Sequence, residues 1–244
     1  MLQLAQPNPS TTLSKKAKRE LRKEKATLNT MSLKDIIPLT EHQDEAFSEW
    51  YNNQDLMLMG SAGTGKTYMA LYFALREVVL GNADKVLIVR SAVPSREMGF
   101  LPGSETEKMK NYEMPYADIC ADLFQRGDAY SILKQKGIIE FSSTSFLRGL
   151  TFKNCVVVVD EMQNLAWMEL HTVMSRIGDG CRMIFSGDTR QSDLENHKGK
   201  ADLLKIVDVV KRMLCFSFVT FQPEDCVRSG KARQYLMACE SLGY

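Results

Sequence analysis

No stretch of the chain approaches the roughly 18 consecutive apolar residues that a bilayer-crossing helix needs. The first residues, MLQLAQPNPSTT, lack the basic-then-apolar pattern of a secretion signal. Together these make a cytoplasmic location the expectation. The six cysteines (Cys120, Cys155, Cys181, Cys215, Cys226 and Cys239) form no CxxC pair, and only three histidines are present, scattered. That excludes the usual zinc spacings and a disulfide framework, and the thiols are expected to be reduced and mostly buried. No internal repeat is visible, so a solenoid is not indicated. Large net charge is lacking too, but the value of +1 conceals an asymmetry. The stretch KKAKRELRKEK, residues 15–25, holds seven Lys/Arg against two Glu, which leaves the rest of the chain mildly acidic. Such a basic arm can supply sequence-independent contacts to nucleic-acid phosphates, or it can be a solvated tail.

What the chain has is ordinary globular content: 244 residues, 44% hydrophobic and 25% charged. This length and composition favour one domain. Residues 1–33 are polar and basic and read as a disordered or loosely helical arm, with the ordered domain over 34–244. Six short apolar or β-branched runs follow: LMLM (56–59), VLIV (86–89), GIIEF (137–141), CVVVV (155–159), RMIFS (182–186) and FSFVTF (216–221). They are nearly continuous rather than alternating, as in strands buried on both faces. Between them YMALYFALREVVL, AWMELHTVMSRIG and ADLLKIVDVVKRML carry helical spacing. The pattern predicts an α/β fold, a mostly parallel sheet covered by helices on both faces. Residues 94–136, punctuated by Pro94, Pro102, Gly103, Pro115 and Gly127, are long for one crossover and read as an insertion with one or two short helices.

The first strand and the first helix are joined by Gly60, Ser61, Ala62, Gly63, Thr64, Gly65, Lys66 and Thr67, which satisfy GxxxxGK[ST] in the strand-then-helix context that the motif requires. The glycines let successive N–H groups and the helix N-terminus face phosphates. Lys66 is expected to reach the β and γ phosphates, and Thr67 to ligate Mg²⁺. About 95 residues on, VVVVDEMQN (156–164) ends a buried strand with Asp160, a second metal ligand, followed by Glu161, where a base could polarise water. That glutamate favours water over a small-molecule acceptor. In IFSGDTRQSDL (184–194), Asp188 and Gln191 follow a strand and are expected near the γ phosphate.

These segments resemble the PhoH family of ATPases, relatives of the superfamily 1 helicase core, and among them the short PhoH-like proteins of tailed phages. The resemblance runs through PLTEHQ (38–43), GSAGTGKT, IVRSAVPSREMGFLPG (88–103), STSFLRGLTF (143–152), VVVVDEMQN, SRIGDGCRMIFSGDTRQSDL (175–194) and FVTFQPEDCVRSG (218–230), covering about residues 36–242. It implies a RecA-like P-loop NTPase with ATP and Mg²⁺ as cofactors. It implies Gln43 at the adenine edge, Gln191 as γ-phosphate sensor and Arg228 as an arginine finger. For a phage-encoded chain the cytoplasm is the host's. Met162 stands where the family usually has Ala, Ser91 where Pro is usual, and Leu150 where a second Arg is common after Arg148.

With a single phosphate loop and core, an arginine finger at Arg228 is expected to act on a neighbouring subunit, and hence a homo-oligomer, a hexameric ring among the options, is expected. The resemblance makes single-stranded nucleic acid, RNA or DNA, the leading partner. Within the insertion, Phe100, Tyr112, Tyr116, Phe124 and Tyr130 interleave with Lys108, Lys110, Arg126, Lys134 and Lys136, the composition of a stacking platform or simply of a packed insertion. The functional readings are an ATP-driven translocase or helicase, a phosphate-loop kinase, which Glu161 disfavours, and a slow ATP-dependent switch. The first and third stay open at this point.

Overall fold

Six strands, all parallel, form one sheet in the order β3-β2-β4-β5-β1-β6: β1 (Asp55–Gly60), β2 (Lys85–Arg90), β3 (Ile139–Ser143), β4 (Cys155–Asp160), β5 (Arg182–Gly187) and β6 (Phe216–Phe221). The computed structural model describes residues 31–91, 105–144, 147, 151–188 and 197–242. Each apolar run of the sequence is one of these strands. The central ones are covered on both faces: β4 is buried over its whole length, and β1 and β2 at every residue but their ends. This is the α/β architecture expected from the unalternating patterns.

The helices follow from caps and buried stripes. In α1 (Glu41–Tyr51), the Thr40 hydroxyl accepts from the Gln43 amide, Glu41 and Asp44 sit in the positive first turn, and Gln43, Ala46, Phe47 and Trp50 make the buried stripe. Helix α2 (Lys66–Leu80) is buried on nearly every side from Met69 to Leu75 and ends on Gly81 in the left-handed conformation. Both pack against the sheet, with α2 lying over β2, β4 and β5. On the opposite face, α5 (Trp167–Met174) and α6 (His197–Val210) cover a cluster of Met57, Leu87, Val157, Val159, Met183 and Phe185. Helix α7 (Gly230–Ser241) closes the chain. Among the described residues no helix is long and apolar enough to cross a membrane.

The insertion departs from expectation. Its first helix, α3 (Glu105–Leu123), runs 19 residues straight through Pro115, and α4 (Ala129–Gln135) follows. An internal proline removes one backbone hydrogen bond. Tertiary burial compensates: Glu113, Tyr116, Cys120 and Leu123 lie at helical spacing and are all buried. Of the two readings of the insertion's aromatics, the described rings follow packing. Tyr116, Phe124 and Tyr130 are buried in the core, and Tyr112 is half-buried beneath Arg90. Arg126 pairs with Asp128, and Lys134 with Glu113. The aromatics hold the insertion onto the sheet, and packing accounts for them. Phe100 and the Lys108 side chain lie outside what the structure describes.

Candidate functional site

Because the strands are parallel, all six end on one edge, and the polar residues that terminate β1, β4 and β5 meet there. They surround a cavity of about 960 Å³. Its floor is the loop from Gly60 to Thr67. Gly60, Gly63 and Gly65 have φ of 140°, 84° and 87°, in which L side chains are strained. Two of them also have no room for a Cβ. At Gly60 it would lie 2.4 Å from the Phe221 carbonyl oxygen, and at Gly63 2.9 Å from Cγ of Arg228. Helix α2 begins at Gly65 with no side-chain cap and no acidic residue in its first turn. Its N-terminal N–H groups and positive dipole end therefore favour an anion.

Lys66 is nearly buried. Its Nζ donates to the carbonyls of Gly60 (2.9 Å) and Ser61 (2.7 Å) and to Oγ1 of Thr64 (3.3 Å). Burial lowers its pKa, against the opposing pull of Asp188, Glu161 and Asp160. The Thr67 hydroxyl donates to Oδ1 of Asp160 at 2.9 Å. A hydroxyl and a carboxylate side by side are the hard oxygen donors that Mg²⁺ takes alongside phosphate oxygens, so the residues present fit that ion. Among the described residues no group of three or more His, Cys, Asp or Glu gathers as a metal site made by protein alone.

Glu161 sits in the left-handed region at φ 51°, an uncommon conformation for a non-glycine residue. Burial first and the Asp160 charge second raise its carboxyl above the usual range. Gln163 donates to Glu161 through Nε2, and its Oε1 accepts from the Asp188 amide at 3.0 Å. One side chain thus spans the ends of β4 and β5. Asp188 lines the cavity as expected. Gln191 lies outside the described residues, as do Arg148 and Leu150. Met162 is fully buried against Gly187, so its departure from the family pattern is a packing variation. Ser91, the other departure, is buried just beyond β2.

Gln43 lines the cavity with its carboxamide engaged: Oε1 accepts from the Leu39 amide (2.8 Å) and Nε2 donates to the Thr64 carbonyl (3.0 Å). It ties the segment before α1 to the phosphate loop. Arg228 also lies in the wall of its own chain's cavity, with the Val227 amide bonded to the Gly63 carbonyl at 3.0 Å. The hydrogen bond between 227 and 63 holds Arg228 beside the phosphate loop of its own chain.

Two residues at this edge escape sequence reasoning. Tyr116, fully buried on α3, donates its phenol to Oδ2 of Asp160 at 2.9 Å. Burial and the neighbouring carboxylate push its pKa well above the ordinary tyrosine value, which keeps the proton on the donor. Arg90, at the end of β2, is the register partner of Asp160 and lies over the Tyr112 ring. Nothing in spacing along the chain links residues 112–116 to 160. For Arg90 the only signal is that it ends a strand.

Residues 35–240 match the family model described as PhoH-like protein. A PhoH-like protein of Bacillus subtilis (strain 168) is 34% identical over 197 residues, covering 80% of this chain and 61% of the relative. Protein PhoH of Escherichia coli (strain K12) is 30% identical over 210 residues, 83% of this chain and 58% of the relative. The chain thus spans about three fifths of the length of these relatives. Among solved structures, the helicase domain of Pyrococcus furiosus Hef is similar over 74% of this chain and 38% of that one, with a TM-score of 0.45 and 10% identity. With its P-loop, its strand-end acidic pair and the family model matched over residues 35–240, the chain belongs to the PhoH-like protein family of P-loop NTPases.

Proposed function

We propose that the protein binds ATP with Mg²⁺ and hydrolyses it, and that hydrolysis is coupled to movement along, or unwinding of, single-stranded RNA or DNA. The observation that carries the enzymatic part is the meeting of Lys66, Thr67, Asp160 and Glu161 at one cavity from strands and helices distant in sequence. Phosphate oxygens would take the Lys66 ammonium from three neutral oxygens, an exchange that favours the anion. Mg²⁺ would be held by Thr67 and Asp160, and would neutralise charge on the β and γ phosphates. Glu161, its pKa raised by burial and the Asp160 charge, would accept a proton from water. Gln191 would sense the γ phosphate, Arg228 would supply positive charge to it, and the second N–H of Gln43 would meet the adenine.

Nucleic acid as partner rests on the basic run 15–25 and on the helicase-core relationship of the family. Arg228 in its own cavity makes catalysis by a single subunit feasible, and a homo-oligomer becomes a separate proposal. One observation favours the second reading, a slow ATP-dependent switch. Among the described rings of the insertion, Tyr116, Phe124 and Tyr130 are buried and Tyr112 is half-buried under Arg90, which leaves a strand little to stack on.

The test is steady-state ATP hydrolysis against protein concentration, with and without single-stranded RNA and DNA, using Glu161→Gln as the blank. Loss of the base should lower the rate by about 10²–10⁴-fold. Stimulation by one nucleic acid, absent from the blank, is the result expected of a motor. A slow rate indifferent to both selects the switch, and a rate per subunit independent of concentration rejects the need for an oligomer. Hydrolysis equal in enzyme and blank would refute the assigned chemistry.

A further inference from the structure

Helix α3 reaches the nucleotide site through two side chains four residues apart, and so on one helical face. Tyr112 lies under the Arg90 guanidinium, 5.6 Å from ring centroid to Cζ. Tyr116 donates to Oδ2 of Asp160 at 2.9 Å, while the other oxygen of that carboxylate, Oδ1, takes the Thr67 hydroxyl at 2.9 Å. Arg90 and Asp160 are paired across β2 and β4, so the helix is fastened to the ends of two neighbouring strands. The Asp160 carboxylate is held from both sides. One hold comes from the phosphate loop and the other from the insertion.

We propose that Tyr116 is a positioning residue: its phenol fixes the Asp160 carboxylate with Oδ1 turned to Thr67, and thereby couples the seating of α3 to metal-dependent nucleotide binding. A carboxylate with one oxygen bonded to a buried, protonated phenol has one orientation. Without that bond Oδ2 loses its buried phenol donor, and the carboxylate is free to turn towards the neighbouring Arg90 guanidinium instead of keeping Oδ1 on Thr67. The link runs in both directions, since whatever fixes Asp160 from the nucleotide side also fixes α3.

The inference rests on the nucleotide reading above, and the test separates the two. A fluorescent ATP analogue is titrated into the full chain at a series of Mg²⁺ concentrations, for the wild type, Tyr116→Phe, Asp160→Asn and the double variant. Residues that orient a metal ligand typically contribute 10- to 100-fold to metal affinity. The Mg²⁺ concentration for half-maximal tightening should therefore rise about 10- to 100-fold in Tyr116→Phe, with Mg²⁺-free nucleotide affinity unchanged within about 2-fold. The double variant should match Asp160→Asn. An unchanged Mg²⁺ midpoint overturns the proposal, as does equal weakening with and without Mg²⁺, the mark of a merely structural role. A wild type whose binding ignores Mg²⁺ overturns the nucleotide reading and this inference with it. A second measurement leaves Tyr116 intact: in Asp160→Ala, hydrogen exchange at amides 112–120 should accelerate, and unchanged exchange refutes the coupling.

Discussion

Replacing Gly60 by alanine puts a number on how tightly the phosphate loop is built into the sheet. Two costs are separable. The first is conformational: φ is 140°, a region that L residues avoid at about 1–3 kcal/mol. The second is contact. The added Cβ would lie 2.4 Å from the Phe221 carbonyl oxygen and 2.8 Å from Phe221 Cβ, on the strand paired with β1 in register at this position. Both distances are far inside ordinary contact and the obstacle is backbone, so β1 and β6 must move apart, at about 1–3 kcal/mol. Together the costs come to about 2–6 kcal/mol. At roughly 2–4 °C per kcal/mol for a chain of this size, melting should fall by about 5–20 °C. Two other glycines serve as internal standards. Gly137 has φ 69° with nothing within 4 Å of its Cβ position, so Gly137→Ala has strain alone and should cost about 1–2 kcal/mol. Gly127 is open and outside the left-handed region, so Gly127→Ala should gain about 0.4–1 kcal/mol and melt about 1–4 °C above the wild type. The assay is thermal unfolding followed by circular dichroism, all three variants side by side. If Gly60→Ala melts within about 2 °C of Gly137→Ala, the contact contributes nothing and the reasoning fails.

Two further outcomes follow from ionisation. Because the folded state raises the Glu161 pKa, protonation of Glu161 favours folding; that contribution is complete below the ordinary value of 4.5 and is lost as pH rises through the raised value. Glu161→Gln, which mimics the protonated form, should therefore be more stable than wild type at pH 7.5, with the gain vanishing towards pH 4; urea unfolding at the two pH values checks it, and an equal gain at both refutes it. The buried thiols of Cys120 and Cys155 are pushed up to about 12, whereas Cys215 is exposed, so Ellman's reagent at pH 8 should label Cys215 promptly and the other two only in denaturant. Peptide mapping that finds Cys155 labelled in the folded chain would contradict the burial described.

How much of this was legible beforehand depended on whether the signal was local. Strands β1, β2 and β4 are nearly uninterrupted apolar runs because a parallel sheet buried on both faces asks little of its side chains but size and branching. The phosphate loop was legible because Gly, Lys and Thr at fixed offsets are required by backbone and charge together. Asp160 and Glu161 were legible as the end of such a strand. The insertion was misread where local rules and tertiary packing disagree. Pro115 signals a break, yet the helix runs through it because the buried stripe from Glu113 to Leu123 outweighs one lost hydrogen bond. The tyrosines beside lysines left a platform and a packed insertion both open, because single-sequence composition does not distinguish a ring that faces solvent from one that faces the core. Arg228 beside Gly63, Tyr116 on Asp160 and Gln163 spanning two strand ends are contacts across 165, 44 and 25 residues or so, and no periodicity encodes them.

The strand order has a consequence for how the protein is made. β1, which leads into the phosphate loop, pairs only with β5 and β6, and its side towards β4 is filled by β5. A chain emerging from the ribosome therefore presents Lys66 early and Asp160 midway, with no sheet to join them. The β2, β3 and β4 segments can pair among themselves as they appear, but β1 must wait until residues 182–187 arrive to slot between the two halves. Long-range closure of this kind is slow and leaves an apolar strand edge unpaired in the interim. A chain stopped after Asp160 would carry the whole phosphate loop and the Asp160 carboxylate and yet have no sheet to bring Thr67 against it.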